Sequence, residues 1–177
     1  IERLTDTCEA AVLGGVTGPA LLSEQLLIHN DAATEIREEA VFTASEICVE
    51  LVNTYLDAGA DGVAVLEPNG LDVPLYGEAA EPIINTLDHY EAEGTLITDT
   101  AAPQDVRTAA TVGFDAITGA VDDETVIQVA QDRDIAFGLG VPRETFKTGP
   151  DDVAAFRDKL PENVGLSSKW TVPQETA

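Results

Sequence analysis

The sequence predicts an α/β protein with parallel strands, of the kind that forms a TIM-type (β/α) barrel. Short apolar runs recur along its 177 residues, and helical stretches separate them. Six of these runs read as strands, and a helix precedes five of them. Such strict alternation requires parallel strands joined by right-handed crossovers.

Each predicted strand is a short apolar run that ends near turn residues. The first ends at the Gly18-Pro19 break, and the valine-rich second ends at Pro68, as expected for a strand covered on both faces. We predict the six strands at residues 10–16, 62–68, 95–99, 115–120, 135–141 and 164–170.

The two longest helices are predicted from caps and apolar spacing. One begins near Ala32 after a capping Asn30-Asp31 pair and ends at Gly59, and the other covers 78–93. Apolar residues at three-to-four residue spacing predict the buried face of the first helix: Val41, Ala44, Ile47, Leu51 and Tyr55.

The alternation leaves two architectures, an open dinucleotide-binding sheet or a barrel. The glycines at 14, 15 and 18 lack the spacing of a dinucleotide-binding turn, which favours the barrel. A complete barrel has eight strands and about 250 residues. The chain starts at Ile1 and has no methionine, so we expect a fragment or processed product: one partial barrel domain, 1–177, without the first two strand-helix units.

A partial barrel has exposed strand edges, which natural proteins cover. We therefore expect the missing amino-terminal segment, a homodimer, or marginal stability. No internal repeat beyond the strand-helix unit is visible.

The charge of the chain restricts its partners and its solvent. Asp and Glu number 33 against 9 Lys and Arg, which gives a net charge of -24. Such a surface repels nucleic acid and anionic lipid, so we expect neither as a partner. Molar salt reduces the Debye length to about 3 Å and would screen this self-repulsion. The acids are spread along the chain, a pattern typical of a halophilic protein.

Removal of molar KCl should therefore unfold the protein, because self-repulsion among the carboxylates is then unscreened. Circular dichroism during dialysis into dilute buffer measures this. Unchanged ellipticity would indicate an ordinary acidic protein, the alternative interpretation of the composition.

Two cysteines and the absence of long apolar runs indicate the cellular compartment. Cys8 and Cys48 form no dense framework, so we expect free thiols. No run approaches the roughly 20 apolar residues that span a bilayer, and no leader precedes the first strand. We expect a cytoplasmic protein without a membrane partner.

The active sites of β/α barrels lie at the carboxyl ends of the strands. The residues at these predicted ends are Gly18, Glu67, Asn69, Asp99, Thr118, Arg143 and Lys169. Glu67 follows an apolar run, where burial would raise its pKa and suit it to proton transfer, unless it caps the following turn. Asp99 would act with Glu67 as a second catalytic carboxylate, unless it caps the helix near Ala102.

The remaining candidates would bind a substrate. Asn69 would orient it by hydrogen bonds, and Gly18 is a further candidate for substrate binding. Arg143 and Lys169 are rare cations after the last two strands, which favours an anionic small molecule as the substrate. The alternative is that they form ion pairs with nearby acids. Trp170 would stack on a planar ligand, unless it is buried packing.

Several segments resemble one family in the same order. GGVTGPALL, AGADGVAVLEPNG and LSSKWTVPQET are similar to segments of the uroporphyrinogen decarboxylase and cobalamin-dependent methyltransferase superfamily. The resemblance covers Ala10 to Thr176 and implies barrel strands three through eight. It also implies that Tyr76 is the aromatic residue that follows the second loop and contacts substrate.

The sequence departs from this family at its metal ligands. The methyltransferase branch holds zinc with a His-x-Cys pair and a late cysteine, and this chain has Leu96, Thr98 and Trp170 there. Leucine and tryptophan offer zinc no lone pair. We therefore expect no zinc site, and no other cofactor is evident.

The resemblance implies a methyl transfer paralogue that acts on a small thiol or anionic substrate. The alternative is a degenerate, non-catalytic barrel that binds a small anion or a partner protein. A third candidate is the porphyrinogen decarboxylase of haem biosynthesis. Two features disfavour this candidate. Leu21 or Leu22 stands where decarboxylases have an aromatic residue after the Gly-Pro loop, and few cations are available for a polyanionic substrate.

Overall fold

The computed structural model describes residues 11–27, 34–69, 71, 75–99, 102–119, 124–141, 154–155 and 164–168. Two helices follow the first strand, and one helix lies between each pair of consecutive strands from the second to the fifth. The strands are β1 Leu13–Thr17, β2 Gly62–Leu66, β3 Glu93–Ile97, β4 Ala116–Gly119, β5 Ala136–Val141 and β6 Val164–Ser168. The helices are α1 Pro19–Leu27, α2 Thr34–Asp57, α3 Tyr76–Tyr90, α4 Pro103–Val112 and α5 Glu124–Asp132.

The six strands form one parallel sheet in the order β1-β2-β3-β4-β5-β6. The predicted α/β class and parallel strands are confirmed. A doubly wound sheet reverses its strand order at a switch point, and this sheet does not. Within the described residues β1 pairs with β2 alone, and β6 with β5 alone, so the sheet is open.

One face of the sheet packs against all the helices described. A side chain at Gly14 would meet the ring of Tyr55 on α2, and one at Gly94 would meet Leu87 on α3. A single buried cluster joins this sheet face to the helices, and it includes Val65, Leu96, Ile117, Phe137, Val52, Ile83, Val106 and Val126. This one-sided arrangement is consistent with a partial TIM-type fold.

Three local predictions differ from the structure. The Gly18-Pro19 break, which predicts a loop after the first strand, is the start of helix α1. This helix begins at Pro19 because proline has the φ of a first helical turn and has no N–H to leave unpaired there. The helix predicted at 78–93 lies at Tyr76–Tyr90, since Glu93 already belongs to β3. The proposed Asn30-Asp31 cap lies outside the described residues.

The buried face of α2 also differs from the prediction. Val41 and Ala44 are buried as expected, whereas Ile47 and Leu51 are 42% and 43% exposed. Cys48 and Val52 complete the buried face instead. The predicted apolar series thus spans two adjacent faces of the helix.

Two aspartates tie neighbouring strands together at the amino end of the sheet. Asp61 immediately precedes β2, and its Oδ2 accepts a 2.7 Å bond from the Val12 amide. Asp115 immediately precedes β4, and its Oδ2 accepts a 2.8 Å bond from the Gly94 amide. In both cases a carboxylate holds the strand before it in register.

Candidate functional site

The carboxyl ends of the first three strands lie side by side, as predicted. The Gly18 amide donates to the Leu66 carbonyl at 2.9 Å, and the Glu67 amide donates to the Ile97 carbonyl at 2.8 Å. The Thr98 amide continues the series to the Thr118 carbonyl, also at 2.8 Å. We call this end of the sheet the rim.

Glu67 is 1% exposed, and its carboxylate lies on the helix side of the sheet. Its Oε1 accepts a 2.8 Å bond from the Ala20 amide, and its Oε2 accepts a 2.8 Å bond from the Leu21 amide. These are free donors in the first turn of α1, where the helix dipole also favours a negative charge. Glu67 therefore caps a helix that precedes it in the chain, not the turn that follows it.

Gly18 lies directly against this carboxylate. A β-carbon at Gly18 would overlap Oε1 of Glu67 and would lie 2.7 Å from its Cγ. Both carboxylate oxygens are held by amides, so the side chain cannot move away without losing these bonds. The close approach explains the glycine at this position.

Burial raises the pKa of Glu67 from 4.5 to about 7. The two backbone amides of α1 lower the pKa, the nearby charge of Glu24 raises it, and desolvation has the largest effect. The sequence-based prediction of a raised pKa has this support. The residue thus titrates near neutral pH, although its oxygens already have partners.

Two further ionisable groups lie near Glu67 inside the protein. The Cys48 thiol donates to the Thr17 carbonyl at 3.1 Å, and desolvation raises its pKa to about 12. The Tyr76 hydroxyl is buried without a hydrogen-bond partner, and burial raises its pKa, with Glu67 the next cause. Cys48 is a free thiol, as the sequence predicts, but its place beside Glu67 was not predicted. The available signal was its position among the apolar residues of α2.

Tyr76 was predicted to contact substrate. The structure places it at the start of α3 with 2% of its surface exposed, inside the core shared by sheet and helices. Its side chain packs below the rim, near Glu67.

Asp99 follows β3 at the rim and is half-buried. Its amide donates to the Pro68 carbonyl at 3.3 Å, whereas its buried Oδ1 has no hydrogen-bond partner among the residues that the structure describes. The helix near Ala102 is capped by Asp105, whose Oδ2 accepts the Ala102 amide at 2.9 Å. Asp99 is thus an acceptor without an assigned structural role.

The other predicted binding residues are only partly described. The side chain of Asn69 donates from Nδ2 to Oε2 of Glu24 at 2.9 Å, on the exposed side of the rim. Arg143, Lys169 and Trp170 lie outside the described residues, so the anionic ligand stays a prediction.

The two described residues at the family's zinc-ligand positions do not fit zinc. Leu96 is fully buried against the helices, and Thr98 is buried with its hydroxyl 3.4 Å from the Thr118 carbonyl. Across the described ranges, no group of three or more His, Cys, Asp or Glu residues could hold a metal ion. Among the same residues, no helix is long and apolar enough to cross a bilayer.

Comparisons with known proteins show similarity of structure alone. No protein-family model matches the sequence, and no curated protein matches it. A methyltransferase from Methanosarcina mazei has a similar structure, with a TM-score of 0.66, 16% identity, and coverage of 94% of this chain and 55% of the methyltransferase. A designed cube-shaped protein cage, built by fusing symmetric oligomeric domains, gives a TM-score of 0.50, 14% identity, and coverage of 91% and 55%.

The chain therefore spans about half the length of the structures it matches. At identities this low the likeness concerns the fold and not the activity. The chain has a methyltransferase-like α/β fold.

Proposed function

We propose that this chain belongs to a β/α-barrel methyltransferase and contributes strands three through eight of its barrel. In this proposal the protein transfers a methyl group to a small thiol or another anionic acceptor. The carrying observation is Asp99, a carboxylate with an unpartnered, buried oxygen at the rim of a methyltransferase-like fold. Enzymes of this architecture hold their chemistry at that end of the strands.

Asp99 has the properties of a proton acceptor for a thiol substrate. A thiolate is the reactive form of a thiol, so methyl transfer requires a base that removes the proton. The proton would pass to Oδ1 of Asp99, and the sulfur would form a bond to the methyl carbon. The electron pair of the broken bond would remain with the methyl donor.

Glu67 has a different part in this proposal. Both of its oxygens accept amides of α1, so neither is directed at a substrate. We assign Glu67 to positioning the loop from Gly18 into α1, which forms one wall of the rim. Proton transfer is assigned to Asp99 alone.

The proposal predicts S-methylation of 3-mercaptopropionate, a small anionic thiol, by methylcobalamin in molar KCl. Mass spectrometry of the S-methyl product measures the rate. Asp99→Asn should lower kcat by about 100-fold or more, because it removes the general base. Asp88→Asn, the same change at an exposed position on α3, is the matched control and should keep the full rate.

The non-catalytic alternative has one specific observation in its favour. Leu96 and Thr98 offer no ligand set for a thiol-activating zinc ion. If calorimetry shows that propionate and 3-mercaptopropionate bind equally while no methylated product forms, anion binding replaces methyl transfer as the function. A rate unchanged in Asp99→Asn would instead remove Asp99 from the mechanism.

A further inference from the structure

The face of the sheet that lies opposite the helices carries a second set of side chains, and we call it the inner face. Successive residues of a strand point to opposite faces. Ile117 and Phe137 belong to the core between the sheet and the helices. Their chain neighbours Thr118 and Gly138 therefore lie on the inner face, where they pair across β4 and β5. In a β/α barrel this face lines the interior.

Thr118 is a buried polar residue near the carboxyl end of β4, with 8% of its surface exposed. Its carbonyl accepts the Thr98 amide and lies 3.4 Å from the Thr98 hydroxyl. Its own hydroxyl has no hydrogen-bond partner among the residues that the structure describes. Buried polar groups are normally hydrogen-bonded, so this hydroxyl is a group that a ligand can satisfy.

The main chain of β5 leaves room for this hydroxyl. A β-carbon at Gly138 would lie 2.6 Å from Oγ1 of Thr118, so the hydroxyl occupies space that any other residue at 138 would fill. Ala116 and Ala136 are the inner-face residues one step before this pair, and they pair with each other. Ala136 is exposed and Gly138 is half-buried. At these two positions of β5, therefore, no side chain larger than a methyl group stands beside the hydroxyl.

Asp99 lies close to Thr118 along the same rim. Ile97 pairs with Thr118, and Asp99 follows Ile97 by two residues. The Asp99 amide bonds to the Pro68 carbonyl, so the main chain stays beside the end of β2 as far as Asp99. Two residues of strand rise and one strand spacing put the Cα atoms of Asp99 and Thr118 roughly 8 Å apart. A thiol with a second polar group on a short carbon chain can span this distance.

We propose that Thr118 is a specificity-determining residue for the acceptor, and that its hydroxyl donates a hydrogen bond to the second polar group of a short bifunctional thiol. The inference rests on the proposed function, in which Asp99 accepts the proton of that thiol. The bond from Thr118 would hold the sulfur next to Oδ1 of Asp99 in a reactive geometry. An alkanethiol of the same length has no group for this bond, so the site should prefer the bifunctional acceptor.

A comparison of two acceptors of equal length tests the role of Thr118. 3-Mercaptopropionate ends in a carboxylate, and 1-propanethiol has a methyl group in its place. The measured quantity is the ratio of kcat/KM for the two thiols, with methylcobalamin as donor in molar KCl. Thr118→Val removes the hydroxyl at nearly constant volume and should lower this ratio about 10-fold, as expected for one hydrogen bond to a charged group. Thr118→Ser keeps the hydroxyl and should keep a ratio close to that of the wild type.

Thr17→Val is the matched control. Thr17 ends β1 in the same layer of paired residues as Thr118, three strands away and therefore at roughly 14 Å. It should keep the wild-type ratio. A substitution that only perturbs the fold lowers kcat/KM for both thiols together, so the ratio does not change. An unchanged ratio in Thr118→Val, or an equal fall in Thr17→Val, would overturn the proposal.

Calorimetry separates this inference from the proposed function. If the wild type forms no methylated product, methyl transfer is wrong, whereas the contact with Thr118 is still measured by the binding of 3-mercaptopropionate. Binding about 10-fold weaker in Thr118→Val than in the wild type would support the contact. Equal binding by the two proteins, or no binding by the wild type, would overturn it.

Discussion

Gly18→Ala is expected to lower the free energy of unfolding by about 3 kcal/mol, the upper part of the usual range for overpacking. The added methyl group would overlap Oε1 of Glu67, whose carboxylate is held by the Ala20 and Leu21 amides. Relief of the overlap requires loss of at least one of these buried bonds. Urea unfolding in molar KCl measures the change.

Gly15→Ala is the matched control for this substitution. A methyl group there would meet its nearest heavy atom, Cδ1 of Leu66, at 4.0 Å, so the change should be close to neutral. A double-mutant cycle adds a second check: in a Glu67→Ala background, Gly18→Ala should cost far less because the overlapping group is gone. Full additivity of the two substitutions would contradict the proposed contact.

The contribution of Glu67 to the free energy of unfolding should fall as pH rises from about 4.5 to 7. The pKa of Glu67 is raised from 4.5 to about 7 on folding, so in this window the folded state keeps a proton that the unfolded state has lost. Below the window both states are protonated, and above it both are ionised. The difference amounts to roughly 3 kcal/mol at 1.36 kcal/mol per pKa unit.

Glu67→Gln isolates this effect from the many other carboxylates. Urea unfolding at pH 4.5 and 8 gives the free energy of unfolding of both proteins. The wild-type value minus the variant value should be lower at pH 8 than at pH 4.5 by that amount. The KCl concentration must be molar at both pH values, so that the other charges are screened. Parallel pH profiles for the two proteins would show that burial does not perturb Glu67 in this way.

The order of the strands and the position of the rim were predictable from the sequence. Buried parallel strands are apolar along their whole length, so the strands predicted at 62–68 and 95–99 lie within two residues of their positions in the structure. The position of Glu67 after the second strand placed it at the correct end of the sheet. These predictions depend on the local pattern alone.

The partners of the rim residues were not predictable in this way. Glu67 binds amides 46 and 47 residues earlier in the chain, and only the pairing of β1 with β2 brings them together. Helix α1 does not follow from the local pattern, because Gly18-Pro19 indicates a loop although proline is also common in a first helical turn. Ile47 and Leu51 were assigned to the core because helical spacing alone does not distinguish a packed face from an adjacent exposed one.

Any engineering of the chain for dilute buffer has to separate two kinds of acidic residue. Asp61 and Asp115 each accept a hydrogen bond from a main-chain amide at the start of the neighbouring strand. Their replacement by asparagine would lower the negative charge but would also weaken strand pairing. Glu39 and Glu46 are exposed on α2 and accept no main-chain amide of the described residues, so lysine could replace either of them without loss of such a bond. A uniform reduction of negative charge would therefore be the wrong design strategy for this protein.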